Sequence, residues 1–443
     1  MKSVAIIGFG FCGRMSLFHL AEKFEAGDKI YVFDKNPLND LGPAFSAFSP
    51  YYILNVPVAK MSAFSDRQDE FKNFLAAKYP KILEFTSDNG FAPRQIYGEY
   101  LQQLTIEALR KLHEKNIHFE FIQDEVFEIK KDGENFIVKS EEMTREASQI
   151  LLATSFKQNE LSYNFSSENF VKKLWSRAAL PFHEKKFEKE TICLIGSGLT
   201  AVDIIIGLKN KNFAGKIIVI SRRGNFPKKH FTPESSSLLQ SSEDLARLVD
   251  ELKLMGSSAL QAKDDGGNVV LAMCLKIRKF LRENPEYDLR HVIDSIRPIT
   301  QKLWQNFDEK NKKLFLRFWP YWNIFRHRAP ISSLETIEKM QALGQIELRK
   351  KGVKNITKLG ERFLVGETMC DVLVNALGFD LKAQSYPLLK QMIESGLLKD
   401  EILLASSNDK NLHLLGGLNI GRDFECTAVP DLRSSVESTI EKL

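Results

Sequence analysis

The sequence predicts an α/β chain of two parallel-sheet units, the second inserted in the first and carrying a helical insert. Three observations lead there. The chain opens with an apolar strand, a glycine turn, a helix and a second strand; the same succession restarts about 190 residues later; and strand-like segments return near the end, after a long helical stretch.

Taken in order, residues 3–7 (SVAII) are the β-branched, uninterrupted apolar run expected of a strand buried on both faces. After the glycine turn, Met15, Leu17, Phe18, Leu20 and Phe24 recur at helical intervals, and a strand at 29–33 ends in Asp34. Residues 37–95 are weakly patterned and rich in aromatics and loop residues. An amphipathic helix is expected around 96–115, strands near 117–129 and 135–139, and an apolar strand at 149–153. The second succession has a strand at 191–195, a glycine turn at 196–198, a helix at 201–208 and a strand at 216–220. Residues 231–330 are helical in pattern, with a polar, mobile stretch expected at 263–268. Strand-like segments return at 345–349, 363–365, 371–376, 402–404 and 412–416. The expected domains are 1–160 (first part), 161–375 with the helical insert at 231–330, and 376–443 as the return of the first.

Composition narrows the class. Of 443 residues, 43% are hydrophobic and 27% charged, as in an ordinary globular enzyme. The net charge of +5 comes from 62 basic and 57 acidic residues mixed along the chain, so no basic arm for nucleic acid is expected. Cys12, Cys193, Cys274, Cys370 and Cys426 are scattered, without a CxxC pair or metal-ligand spacing. This argues against a metal centre, a disulfide framework and a flavoenzyme dithiol, and fits a cytoplasmic protein. The apolar runs are too short to span a membrane, and seven of the eight histidines read as structural or surface residues.

The motifs carry the chemistry. Gly8-Phe-Gly10-Phe-Cys-Gly13 fits G-x-G-x-x-G at a strand-to-helix junction. Its first glycine allows the tight turn, the second lets backbone approach a pyrophosphate, and the third lets helix and strand pack closely. Asp34, about twenty residues past Gly13, stands where a carboxylate accepts from ribose hydroxyls. Gly196-Ser-Gly198-Leu-Thr200-Ala201 is the G-x-G-x-x-A variant, and its second strand ends in Ser221-Arg222-Arg223. Arginines there suit a 2′-phosphate, which a carboxylate would repel, and so favour NADPH over NADH; otherwise they form a solvated basic turn. Both units are thus read as Rossmann-like, the first for FAD and the second for NADPH, with hydride passing from nicotinamide to flavin. Asn55, in the Leu54-Asn-Val-Pro57 stretch, is a candidate hydrogen-bonding partner of the flavin, and equally a loop residue bonding its own backbone. Arg326, His327 and Arg328 end a segment dense in aromatics; they are candidates to clamp an anion, with His327 moving protons, or else the solvated side of a helix.

Several blocks in order, GFGFCG, GPAFS, ILNVPVAKMSAF, PRQIYGEYL, IGSGLTAVD, ISRRG, SIRPITQKLW, YWNIFRHRAP, DVLVNALGF and RDFECTAVPDLR, run along nearly the whole chain. With them the sequence resembles the bacterial FAD/NAD(P)-binding proteins distantly related to N-hydroxylating flavin monooxygenases. The resemblance implies that the first glycine turn, Asp34, Leu54, Asn55 and Arg94 contribute to the FAD site. It also implies that the second glycine turn with Arg222 and Arg223 faces the nicotinamide dinucleotide, and that Glu425, Thr427 and Ala428 approach the flavin from the start of the last helix. Val126 and Gly378 complete the expected cofactor-binding set. Where such proteins have Ala-Thr-Gly at two returning strands, this chain has Ala153-Thr-Ser155 and Ala376-Leu-Gly378.

Three functions remain open from sequence. The first is an NADPH-dependent flavin monooxygenase acting on a small amine or amino acid. The second is a flavin reductase or oxidase serving another acceptor, and the third a non-catalytic FAD-binding protein. A small-molecule substrate is expected, with neither nucleic acid nor membrane as partner.

Overall fold

The computed structural model describes every residue except 47–48, 86–89, 233–234, 236–238, 240–241, 262–267 and 354. The chain divides into two units, Met1–Lys157 with Phe379–Leu443, and Gln158–Gly378. The crossings therefore fall at 157/158 and 378/379, where the sequence suggested 160/161 and 375/376.

The first unit is a five-stranded parallel sheet in the order Leu412–Leu414, Gln149–Leu152, Ser3–Ile7, Lys29–Phe33, His118–Ile122. Its central strands are continuous apolar runs because helices cover them: Val4, Ala5 and Ile6 have no exposed surface. Against the sheet lie Phe11–Lys23, Arg94–Glu114 and the last helix, Val429–Ile440, with Leu17, Phe18, Leu20, Tyr97, Leu101 and Val436 in one core. The return of the chain is fastened by Lys2 and Lys23, whose ammonium groups donate to the carbonyls of Leu443 and Ile440 at 2.6 and 2.7 Å. An antiparallel meander, Val126–Asp132, Asn135–Ser140 and Thr144–Ala147, precedes the fourth strand in chain order.

The second unit repeats this plan. Its parallel sheet runs Ile346–Lys350, Lys216–Ser221, Thr191–Ile195, Val372–Asn375, Phe170–Val171. It too has a meander, Ile356–Leu359, Arg362–Val365, Thr368–Cys370, just before the strand that flanks its first. The one difference of order is at the edge, which the first unit fills with its last strand and the second with its earliest, Phe170–Val171.

Helix Ile331–Ala342 is the crossover between Lys216–Ser221 and Ile346–Lys350; it packs on Leu199–Asn210 through Ile337 and Met340. The helical insert thus interrupts one βαβ crossover. It contains Glu243–Gln261, Val269–Glu283 and Leu289–Asn306, all amphipathic, and Glu309–Arg326, whose one buried residue is Asn311. Its exit is held by Arg328, 7% exposed, whose Nη2 donates to both carboxylate oxygens of Asp294 at 2.6 Å. Replacing Asp294 by alanine leaves a buried guanidinium without its counter-charge. The expected cost is about 3 kcal/mol, read from urea unfolding, and an unchanged midpoint would contradict this view of the insert.

Some expectations need correction. No strand forms at 402–404: Leu404 takes φ +55°, closing a hairpin whose strands are Leu398–Asp400 and Ala405–Ser407. Within 37–95, the helices Glu70–Lys78 and Pro80–Phe85 appear. Their pattern was weak because Glu70–Lys78 buries only Phe71, Phe74 and Leu75. The expected mobile stretch at 263–268 lies, but for Asn268, outside the described residues.

Candidate dinucleotide sites

Each unit builds its glycine turn in the same way. The amide of Gly8 donates to Phe33 and that of Ala153 to Ile7; in the second unit Gly196 donates to Ile220 and Ala376 to Ile195, all within 2.8–2.9 Å. These bonds splice turn, first strand and neighbours into one rigid corner. Gly8 has φ +98° and Gly196 φ +114°, backbone that glycine alone adopts without strain. A Cβ on either would stand 2.7 Å from the carbonyl oxygen of Ala153, or 2.5 Å from that of Ala376.

The second glycine of each turn behaves differently. A Cβ on Gly10, or on Gly198, would meet no protein atom within 4 Å. Neither glycine is required by packing inside the fold, and each leaves open space at the start of its helix. Each caps a helix, Phe11–Lys23 or Leu199–Asn210, without a side-chain hydrogen bond and without an acidic residue in the first turn. The first N–H groups of both helices are therefore left to a ligand, and the positive end of the helix dipole favours an anionic one. The donor set fits the pyrophosphate of a dinucleotide in both units.

The third position separates the turns. A Cβ on Gly13 would fall 2.1 Å from the carbonyl oxygen of Gly8, whereas Ala201 occupies the matching place fully buried. Asp34 also acquires a structural task. Its Oδ2 accepts from the Phe9 amide at 2.7 Å, and its Oδ1 from the amide of Asn36 at 2.8 Å. The carboxylate has lone pairs left for a ribose, but it first braces the glycine turn.

The structure brings several other expected residues together. Leu54 donates its amide to Ala92, and the Arg94 amide and Nε donate to Tyr52 and Ile53 at 2.8 and 3.1 Å. The Leu54–Asn55 stretch and Arg94 thus form one local structure. Val126 is buried at the start of the meander, paired with Ser140. Ala428 is the N-cap of Val429–Ile440 and Thr427 beside it is exposed, while Glu425 follows Phe424, which has φ +57° and ψ −57°. A bulky residue at such angles is strained, a condition that gathers at functional sites. Nothing in the sequence signalled it.

In the second unit, Ser197 Oγ donates to the Asn225 carbonyl at 2.6 Å, tying the glycine turn to the basic turn. Ser221 Oγ accepts from the Gly224 amide at 3.0 Å, and Arg222 is exposed. Helix Glu309–Arg326 lies along the segment after this turn: the Lys228 amide donates to Ile324 at 2.9 Å, and Arg223 sits 5.4 Å from the ring of Tyr321. That places the Arg326–His327 end of the helix within the dinucleotide unit, while Arg328 is committed to Asp294.

The departure from Ala-Thr-Gly has a physical explanation. The close approach is made by the carbonyls of Ala153 and Ala376, and a Cβ on Gly378 would meet nothing within 4 Å. Serine at 155 is therefore no obstacle to the corner. Among the cysteines, burial pushes the Cys12 thiol up to about 12 and raises Cys426 as well, so neither is a ready thiolate. The fold brings Cys193 and Cys370 into thiol–thiol contact inside the second unit's core, a pairing that their sequence separation hid. Among the described residues, no three His, Cys, Asp or Glu side chains gather as metal ligands, and no helix is long and apolar enough to cross a membrane.

The residue that sequence reasoning missed is Arg14. It is 2% exposed in the first helix and bonded on three sides. The available signal was its place in 11–18, a stretch with no other charged residue.

Two glycine turns on two parallel sheets define the class, a two-dinucleotide α/β fold. In keeping with this, residues 5–157 match the model of an FAD-NAD(P)-binding family. The whole fold is shared with solved structures at low identity. An ornithine N-hydroxylase from Kutzneria sp. 744 is 15% identical with a TM-score of 0.55, covering 100% of this chain and 99% of its own. An L-lysine 6-monooxygenase from Pseudomonas syringae is 13% identical with a TM-score of 0.60, covering 100% and 99%. A bacillithiol disulfide reductase from Staphylococcus aureus is 12% identical with a TM-score of 0.52, covering 100% and 98%. No curated protein matches by sequence.

Proposed function

We propose that this protein is an FAD-dependent oxidoreductase that draws electrons from NADPH and hydroxylates a small amine or amino acid. The observation that carries the reading is the repeated turn with an open second glycine, at Gly10 and again at Gly198. The match of residues 5–157 to an FAD-NAD(P)-binding model supports FAD in the first unit. The basic turn supports NADPH in the second, because Arg222 and Arg223 offer a 2′-phosphate charge-assisted bonds.

FAD, when bound, supplies the capacity to accept a hydride and to pass electrons to dioxygen. The chain supplies the rest. Gly10 and Gly198 leave room for the pyrophosphates, and the two uncapped helix N-termini bind their charge. Asp34 fixes the first turn and accepts from a ribose. Asn55 is assigned to the flavin's hydrogen-bonding edge, Arg326 to an anionic group, and His327 to proton transfer at its imidazole. The three neighbours act on amines or on a disulfide according to their names; the amine reading is preferred here because the buried cysteines offer no accessible thiol pair. Five unbridged cysteines also suit the cytoplasm.

The test is stoichiometry. With FAD, NADPH and a panel of amines and amino acids, at least one compound is expected to yield hydroxylated product in step with NADPH oxidised. Peroxide alone across the panel would move the protein to the reductase or oxidase class. Arg222→Ala is expected to weaken NADPH about 10-fold or more while leaving NADH nearly unchanged. Equal losses in titrations of the two nucleotides would show that this arginine does not read the 2′-phosphate.

A further inference from the structure

We propose that Arg14 is the positioning residue that sets the grip of the first unit on the ADP half of its dinucleotide, and so favours FAD over FMN. The inference rests on the assignment of FAD to that unit and extends it to a residue outside the glycine pattern.

The guanidinium joins the two walls of the space beside Gly10. On one wall it lies 4.5 Å from the ring of Phe9, the residue between the first two glycines. The Phe9 amide is in turn held by Asp34. On the other wall its Nη2 donates to the carbonyls of Leu38 and Asp40 at 2.6 and 2.8 Å. That segment then runs into Gly42: the Asp40 carboxylate accepts from the Gly42 amide at 2.8 Å, and Gly42, at φ +72°, would set a Cβ 3.8 Å from the Gly10 Cα. A third bond, from Nη1 to Thr105 Oγ1 at 2.8 Å, anchors the group to helix Arg94–Glu114.

The chemistry explains why arginine is needed. Two inward-facing carbonyls and a hydroxyl require several donors from one side chain, in a plane, which the guanidinium fork supplies and an ammonium does not. Burial costs the cation enough to lower its pKa to about 10, opposed by the negative charges of Asp34 and Asp40. A charge held at that cost beside the pyrophosphate turn keeps the 38–42 segment at a fixed distance from Gly10. The segment's other tie to helix Arg94–Glu114 is the longer bond from Gln102 Nε2 to the Asn39 carbonyl, at 3.4 Å on the exposed side.

The effect should fall on the part of the ligand that FMN lacks. FAD and FMN are titrated by flavin fluorescence into the full-length chain stripped of flavin. Arg14→Met is expected to weaken FAD about 30-fold and FMN less than 3-fold, collapsing the preference between them. Arg145→Met, which removes the half-buried ion pair with Glu120 elsewhere in the unit, serves as the stability control and is expected to keep the preference. A merely structural role would lower both affinities together, and that result overturns the proposal. Arg14→Lys keeps the charge but not the fork and is expected to recover only a minor part of the loss; it carries the comparison alone should Arg14→Met fail to fold. Full recovery by lysine would overturn positioning in favour of charge. A wild-type chain with no preference for FAD over FMN would instead overturn the cofactor assignment on which the inference rests.

Discussion

Gly10→Val is expected to fold as the wild-type chain does and to emerge colourless. The two halves of that result have separate causes. A Cβ at position 10 meets no protein atom within 4 Å, and the residue sits in extended backbone at φ −74° and ψ −155°, outside the positive-φ region that favours glycine. No packing contact therefore stands in the way of a Cβ there. The space the valine fills is where the pyrophosphate must approach the backbone, so FAD affinity should fall by about 100-fold or more, roughly 3 kcal/mol. Unfolding by urea, followed beside the flavin absorbance of the purified protein, separates the two effects. A yellow variant with bound FAD would mean that the flavin nucleotide does not pass Gly10.

The second large effect is the opposite kind. Gly13→Ala is expected to destabilise the first unit by about 3 kcal/mol or more, whether or not a ligand is present. Its Cβ would lie 2.1 Å from the Gly8 carbonyl oxygen and 3.1 Å from the carbon, both backbone atoms that no rotamer can move. The turn would have to open or the helix to retreat from the strand. In the second unit the same place already holds the buried Ala201, so Ala201→Gly should cost about 2 kcal/mol, the helix penalty of glycine plus one lost buried methyl. Equal effects at the two positions would contradict the geometry of both corners.

These glycines also show how much of the protein could be read from its sequence. The strands at 3–7, 29–33, 191–195 and 216–221 were legible because sheets covered on both faces write themselves as unbroken apolar runs. The glycine turns were legible because a tight strand-to-helix corner admits few residues. What each glycine does was only partly legible: the pattern treats three positions alike, whereas the structure makes Gly8 and Gly13 matters of packing and Gly10 a matter of open space. The edge strand Phe170–Val171 escaped notice because two residues carry no period, and Leu404 defeated the strand at 402–404 through a backbone angle that composition does not encode. Arg14 escaped because a charged residue in a helix ordinarily reads as solvated, and its partners Leu38, Asp40 and Thr105 are distant in sequence. Arg94 was named through the resemblance, but its bond to the Ile53 carbonyl went unseen for the same reason of distance in sequence. The Arg326–His327 end of helix Glu309–Arg326 stands out in sequence by its residue types alone; its place within the second unit depends on a helical insert whose packing no motif records.

The central claim is that one chain holds FAD on its first unit and NADPH on its second for electron transfer. Anaerobic mixing of the FAD-loaded protein with NADPH, followed at the flavin's visible absorbance, is the decisive test. Prompt bleaching by NADPH is expected, with NADH distinctly slower at equal concentration. Protein that retains FAD yet is bleached by neither nucleotide would contradict it and leave a binding protein in place of an enzyme.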